Sequence, residues 1–212
     1  MTTTTVDGLA AAVRGRTVTP ADADYDEART LYNAMIDKRP AAIAYCLDEQ
    51  DVAAAIAFAR ERGLRIAVRG GGHNGGGLGS VDDGLVIDLS AFDAVEVDPI
   101  ANMVRVGGGV LLKDLLGATH QFGLTVPVGI IGTTGVGGLT LGGGIGYLAR
   151  KHGLTIDNLL EAELVLADGS RARASANENP DLFWAIRGGG GNFGVVTAFT
   201  FRLHPVSLVN AG

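Results

Sequence analysis

The sequence has little of what several protein classes require. Its 212 residues include a single cysteine, Cys46, which excludes an internal disulfide and a cysteine-based metal cluster. The four histidines are scattered without metal-ligand spacing, so we expect no metal site. There are 17 lysines and arginines against 23 aspartates and glutamates, for a net charge of −6, and no basic stripe. This balance argues against nucleic acid and against anionic membrane surfaces as partners.

Long apolar runs are also missing. No segment reaches the length of a membrane span, and the polar start, Met1 to Thr5, lacks the apolar centre of a signal peptide. Charged residues make up only 19% of the chain and hydrophobic residues 47%, so a chain of this length can bury a sizeable core. We therefore expect a cytoplasmic globular protein.

Glycine, by contrast, is abundant. The chain has 33 glycines, about twice the usual share. Of these, 24 fall into four clusters, at residues 70–79, 107–109, 129–146 and 188–194. The hydrophobic content excludes a disordered glycine-rich linker. Glycines clustered inside a well-packed chain indicate backbone that closely approaches a ligand or another segment, or backbone at positive φ. Four such places suggest a long ligand that lies along several loops.

The first half of the chain predicts a small parallel lobe. Residues 1–34 are expected to be a peripheral segment. The apolar run 41–46 predicts a strand, Asp48 begins a helix that ends before Gly63, and residues 65–69 predict a second strand. This order is typical of a βαβ unit with parallel strands.

The second half predicts shorter strands and an antiparallel lobe. Strands are expected at 85–89, 94–98, 103–106 and 195–203, and helices at 111–120 and after Asn179. Alternating residues on both sides of Asp168-Gly169 predict a hairpin. The fold class is therefore α+β. One domain is expected over residues 35–212, with lobe one at about 35–106 and lobe two at about 107–212.

The first glycine loop reads RGGGHNGGG and continues to Gly79. A G-x-G-x-x-G match follows a strand, and Asp88 stands near the spacing of a ribose-binding acid. A Rossmann site nevertheless needs the glycines to open a helix, and nothing in residues 74–83 can start one. What remains is a run of backbone N–H groups able to wrap an anion. Arg69 either assists them or is a solvated strand end.

His73 lies inside this loop, with glycines on both sides of the His73-Asn74 pair. It is either a histidine satisfied by nearby backbone or one held towards a ligand. Glycine flanks remove packing partners, which favours the second reading. The third cluster brings Thr133 and Thr134 as hydroxyl donors, and its glycines serve either a flat ligand or close packing between lobes. The fourth cluster could be only a helix exit into a strand.

Three segments in this order resemble the FAD-binding domain of flavoproteins of the vanillyl-alcohol-oxidase and berberine-bridge-enzyme type. They are RGGGHNGGG, GVGGLTLGGGIGYLARKHGLTIDNL and NPDLFWAIRGGGGNFGVVTAFTFRLHP. The resemblance covers residues 38 to 206 and implies a two-lobed PCMH-type domain with FAD between the lobes. It implies that His73 bonds to the 8α-methyl carbon of the flavin. Ile131 stands where some members carry a second, cysteine link, so a single bond is implied.

The resemblance also assigns the other cofactor contacts. The pyrophosphate would be wrapped by Arg69, Gly70, Gly71, Gly72, His73 and Asn74. The flavin would be lined by Gly129, Thr133, Thr134, Gly137, Gly138, Gly144 and Tyr147, with Val196 on its other side. Family members move a hydride from a C–H next to oxygen or nitrogen to flavin N5, and oxygen then reoxidises the flavin. The partners implied are a small-molecule substrate and oxygen.

In this family a substrate domain, which carries the base, follows the FRLHP strand. We expect that domain to be absent from this chain, which ends at Gly212, leaving a domain interface exposed to self-association. Two alternatives to an FAD-linked oxidase stay open. One is a noncatalytic FAD-binding module whose catalytic half is missing or lies on another chain. The other is a nicotinamide dehydrogenase, which the missing glycine-to-helix junction disfavours.

Overall fold

A computed structural model describes residues 6–206. The polar start, residues 1–5, and the last six residues, where the crossing into a further domain was expected, lie outside the described residues. The strands are β1 Thr17–Val18, β2 Ala42–Tyr45, β3 Ile66–Arg69, β4 Leu85–Asp88, β5 Val95–Asp98, β6 Met103–Gly107, β7 Leu124–Thr125, β8 Leu159–Val165, β9 Arg171–Ser175, β10 Val195–Arg202 and β11 His204–Pro205. The helices are α1 Leu9–Ala12, α2 Tyr25–Ala28, α3 Glu49–Glu61, α4 Leu112–His120, α5 Val136–Leu141, α6 Ala149–His152 and α7 Pro180–Ala185, with a 3₁₀ turn at Thr155–Asn158. No helix in this part of the chain combines the length and apolarity needed to cross a bilayer.

The first lobe is built on a four-stranded sheet in the order β1-β2-β4-β3. Strands β2, β4 and β3 are parallel, as the βαβ reading predicted, and β4 lies between the other two. The connecting helix α3 begins where the sequence indicated, because the Asp48 carboxylate accepts from the N–H groups of Gln50 and Asp51. Gly63 follows the helix at a φ of 63°, the left-handed conformation that ends helices.

The second lobe is built on a five-stranded antiparallel sheet in the order β5-β6-β10-β8-β9. The Asp168-Gly169 hairpin forms as predicted and joins β8 to β9. The fold is therefore the expected α+β arrangement of a parallel lobe followed by an antiparallel one. The expected lobe boundary near residue 106 is wrong, because β5 and β6 pair with β10 in the second sheet. The change of lobe comes between β4 and β5.

The described part of the N-terminal segment, residues 6–34, packs into the first lobe and is not the peripheral segment that the sequence suggested. Strand β1 pairs with β2, and the side chains of Leu9, Val13, Val18 and Tyr25 are buried against the first lobe. The Tyr25 hydroxyl donates to the carbonyl of Pro40 at 2.7 Å. Short apolar residues spaced among polar ones gave no helical or strand period, so only packing revealed their burial.

Side chains of both lobes pack together at their junction. The core of the first lobe includes Leu85 and Ile87 of β4, and it also takes in Val165 and Val195 from the ends of β8 and β10. A separate core fills the second lobe around Phe199 and Phe201. The first core therefore joins the two sheets at the junction of the lobes.

Candidate functional site

The carboxyl edge of the parallel sheet fixes where the first glycine loop begins. Register places Tyr45, Asp88 and Arg69 side by side at the ends of β2, β4 and β3. The Arg69 guanidinium bonds to the Asp88 carboxylate at 2.5 Å and donates to the carbonyl of Ala28 at 2.7 Å. Both charged side chains are buried, with 7% of Arg69 and 3% of Asp88 exposed.

These contacts correct two expectations about the loop's charged neighbours. Arg69 is neither a solvated strand end nor free to meet a phosphate, because its guanidinium is committed to an internal ion pair. Asp88 is held by that pair and by the N–H of Ser90, so it is not a ribose-binding acid. Residues 70–80 form turns without a helix, as predicted, which removes the Rossmann reading.

The loop folds through its own asparagine. The Asn74 side-chain oxygen accepts from the N–H groups of Gly76 and Leu78, an arrangement that closes the turn. Gly72 has a φ of 69°, a left-handed conformation that glycine adopts readily. Asn74 therefore shapes the loop, and its side chain is occupied in doing so.

The first and third glycine clusters meet at the junction of the lobes. A Cβ added to Gly71 would stand 2.3 Å from the nitrogen of Gly135, and one added to Gly135 would stand 2.3 Å from the nitrogen of Gly71. A Cβ on Gly70 or Gly137 would approach the carbonyl oxygen of Gly108 at 3.1 or 3.0 Å. These glycines are explained by close backbone packing, the alternative that the sequence had left open.

Other predicted site residues border open space or the core. A Cβ on Gly138 would meet nothing within 4 Å, and one on Gly129 would meet the Leu139 side chain at 2.7 Å and the Leu112 side chain at 3.4 Å. Gly144 has a φ of 78° and packs against Thr155. Tyr147 is 86% exposed. Val196 is buried in the core of the second lobe, so its side chain does not face this space.

His73 stands at the centre of this junction, with partners on both ring nitrogens. Its Nε2 lies 3.0 Å from the hydroxyl oxygen of Thr133, and its Nδ1 lies 3.4 Å from that of Thr134. Partial burial lowers the pKa of His73 below its ordinary value, because burial disfavours the charged imidazolium. The structure thus brings together three side chains that the sequence predicted for one site.

His73 also has a packing partner that the sequence did not reveal. The ring of Tyr32 stacks on the imidazole with centroids 3.9 Å apart and an angle of 18° between the planes. The expectation that flanking glycines leave His73 without packing partners is therefore wrong. No spacing or motif connects Tyr32 to the loop, so no signal in the sequence could have found it.

Exposed apolar side chains and the fourth glycine cluster lie on other segments of the chain. Ile130, Ile131 and Ile145 are exposed on the segments around Gly129 and Gly144. The fourth cluster leads from α7 into β10, where Gly189 packs on the carbonyl of Ala185 and Gly194 on that of Val165. It fits the reading as a helix exit into a strand. Among residues 6–206, no group of three or more His, Cys, Asp or Glu side chains could hold a metal ion.

Comparison with known proteins gives consistent matches. A profile described as an FAD binding domain matches residues 40–175. The chain is 40% identical over 192 residues to (R)-6-hydroxynicotine oxidase of Paenarthrobacter nicotinovorans, covering 91% of this chain and 42% of that protein. It superposes on the berberine-bridge-enzyme-like protein 1 of Physcomitrella patens with a TM-score of 0.90 at 38% identity, covering 96% of this chain and 45% of the other.

A third match concerns a flavin linkage. The glucooligosaccharide oxidase of Acremonium strictum, described with a 6-S-cysteinyl, 8α-N1-histidyl FAD, superposes with a TM-score of 0.85 at 38% identity. The match covers 92% of this chain and 41% of that one. The chain thus spans less than half the length of the proteins it matches.

Proposed function

The chain belongs to the vanillyl-alcohol-oxidase and berberine-bridge-enzyme family of FAD-linked oxidoreductases, and on that premise we propose that it carries its flavin covalently on His73. We propose further that the flavin takes a hydride from a C–H next to oxygen or nitrogen, with oxygen as the acceptor. The observation that carries the attachment is the placement of His73 between Thr133 and Thr134, where two glycine clusters meet.

The first loop has the chemistry of a phosphate site. Within residues 6–206, the N–H groups of Gly71, Gly72, His73, Asn74 and Gly75 donate no hydrogen bond. Consecutive free N–H groups in a turn favour an anion, and the pyrophosphate of FAD is such a group. Because the guanidinium of Arg69 is already paired, this contact depends on the main chain.

The His73 contacts favour a neutral imidazole with a defined tautomer. A nucleophilic nitrogen must carry a lone pair, and the lowered pKa keeps the ring unprotonated at neutral pH. The shorter contact, from Nε2 to Thr133, suits an N–H donor, which leaves the lone pair on Nδ1 near Thr134. Nδ1 is therefore our candidate for the bond to the 8α-methyl carbon.

Bound FAD would supply the hydride chemistry, and the protein would supply binding and orientation. The backbone at Gly138 borders open space that can take a flat ring, and the exposed ring of Tyr147 and the side chain of Ile145 can border it. These apolar groups exclude water on the side they cover. The substrate is a small molecule, since the relatives are named for nicotine and oligosaccharide oxidation.

The attachment is tested by acid precipitation of protein purified with excess FAD. We expect the wild-type pellet to stay yellow, absorbing at about 450 nm when redissolved, as flavins do. His73→Ala should release all its flavin. His120→Ala, which changes an exposed histidine at the end of α4, is the matched control and should stay yellow. Acid-stable flavin in His73→Ala would refute the assignment.

Oxidase turnover is tested separately, against the alternative of a noncatalytic FAD-binding module. We propose that the 212-residue chain by itself turns over little, because the apolar residues beside the flavin position are exposed and leave a substrate unpositioned. Positioning supplies on the order of 7 kcal/mol of barrier reduction. Peroxide release per bound flavin, measured on a panel of amines, alcohols and oligosaccharides, decides this. Rapid turnover by this chain would show that the catalytic groups are already present.

A further inference from the structure

A segment before β2 forms hydrogen bonds to the first glycine loop along most of the loop's length. We call residues 31–38 the strap. The N–H of Tyr32 donates to the carbonyl of Gly72 at 3.2 Å, and the Asn33 amide donates to that of Gly75 at 2.9 Å. Lys38 donates to the carbonyls of Gly77 at 2.7 Å and Ser80 at 3.0 Å. The strap therefore holds the carbonyl side of the loop, whereas the N–H groups of residues 71–75 stay free.

The strap is itself anchored at both ends. The side chain of Arg29 pairs with Asp37 and donates to the carbonyl of Lys38 at 3.2 Å, which joins the two ends of the segment. Ahead of Arg29, the carbonyl of Ala28 accepts from the buried guanidinium of Arg69. These contacts fix the backbone that carries Tyr32, although 61% of the residue's own surface is exposed.

Two kinds of contact together define the pose of His73. Stacking on Tyr32 sets the plane of the imidazole, and the hydrogen bonds of its two nitrogens with Thr133 and Thr134 set its rotation within that plane. One ring face is covered by the tyrosine. We propose that Tyr32 is a positioning residue for flavin attachment, which holds the His73 ring in the orientation from which its nitrogen reaches the flavin.

This inference rests on the proposed covalent attachment. Attachment forms a bond between an imidazole nitrogen and the 8α-methyl carbon. Two protons leave, one from the methyl group and one from the imidazole, and the two electrons pass to the flavin ring and then to dioxygen. Tyr32 takes no part in this transfer. Its contribution is orientation and exclusion of water from one face of the nucleophile, so its hydroxyl is dispensable and its ring is required.

The experiment measures the rate at which apoprotein, mixed with FAD, acquires acid-stable flavin. Tyr32→Phe keeps the ring and should react within about twofold of wild type. Tyr32→Ala should react about tenfold more slowly or worse, since small misplacement of a reacting group is costly. Met35→Ala, at an exposed position of the same strap, should react like wild type. Reversible FAD binding before attachment should be unchanged in all three.

A second readout separates positioning from a general loss of structure. The ring of Tyr32 covers one face of the His73 imidazole, and partial burial lowers the pKa of that imidazole. In Tyr32→Ala that pKa, followed by NMR of the imidazole protons in apoprotein, should rise towards its ordinary value. The pH profile of attachment should move upwards with it, because only the neutral ring reacts. Tyr32→Phe should leave both unchanged.

The outcomes distinguish this inference from the function on which it rests. Wild-type protein without acid-stable flavin would refute the covalent attachment. If wild-type protein and Tyr32→Ala acquire acid-stable flavin at the same rate, the role of Tyr32 is overturned and the covalent attachment stands. Equal slowing of Tyr32→Phe and Tyr32→Ala would overturn it too, by assigning the effect to the hydroxyl. Slowing confined to Tyr32→Ala, with the shifted pH profile, supports the proposal.

Discussion

Glycines at the lobe junction serve two different purposes, and substitution by alanine can separate them. Gly71 meets the backbone of Gly135, so a Cβ on Gly71 would stand 2.3 Å from nitrogen and 2.8 Å from Cα. Both neighbours are main-chain atoms, which cannot rotate away. We therefore expect Gly71→Ala to force the two lobes apart. Overpacking of this kind costs about 1–3 kcal/mol.

Gly138→Ala is the matched control because it is the same substitution at a position where the added methyl group meets open space. It lies within α5, and a Cβ there would meet nothing within 4 Å. Alanine in place of glycine inside a helix stabilises by about 0.5–1 kcal/mol. Gly138→Ala should therefore leave the apoprotein as stable as wild type or slightly more so, yet weaken FAD binding, since the added methyl group enters the space proposed for the flavin.

The assay is urea and thermal unfolding of the apoproteins, followed by FAD titration. For a protein of this size each kcal/mol shifts Tm by about 2–4 °C, so Gly71→Ala should lower Tm by about 2–12 °C. Gly135→Ala should cost a similar amount, and the double variant should cost less than the sum, because both changes open the same contact. The reasoning is refuted if Gly71→Ala unfolds like wild type while Gly138→Ala is destabilised.

Three further predictions follow from buried groups. Arg69→Met leaves Asp88 buried without its partner and should lower the free energy of unfolding by about 3–5 kcal/mol in a urea titration, with partial recovery when Asp88→Leu is added. Burial raises the pKa of Cys46 to about 12, so native protein should resist iodoacetamide at pH 8 and flavin should never map to this residue, whereas unfolded protein should be alkylated. Burial, and then the charge of neighbouring His152, lower the pKa of His204. The unfolded chain therefore binds the proton more readily, so stability should fall as pH drops below about 6.5, and His204→Gln should flatten that slope; an unchanged slope would contradict this.

Much of the fold was predictable because it depends on near neighbours in the chain. The cap at Asp48, the glycine that ends α3 and the Asp168-Gly169 turn each act within a few residues of themselves, and all three formed as expected. The three glycine-rich segments, taken in order, indicate the family from sequence alone, because their combination is far more specific than any single loop. Helix α5 was among the elements that were not predicted. Its glycines have no helical period, and it forms where Val136 bonds back to Val110.

The α+β class, the parallel first lobe, the FAD-binding family and His73 as the candidate residue for attachment could all be predicted from the amino-acid sequence. The surroundings of His73 became known only from the folded structure. Thr133 comes to His73 from 60 residues away, Tyr32 arrives on a segment expected to be peripheral, and Arg69 turns from a ligand candidate into half of a buried ion pair. Propensities, caps and motifs report on local backbone. Contacts between distant segments depend instead on how two sheets and their loops pack, which no local pattern encodes.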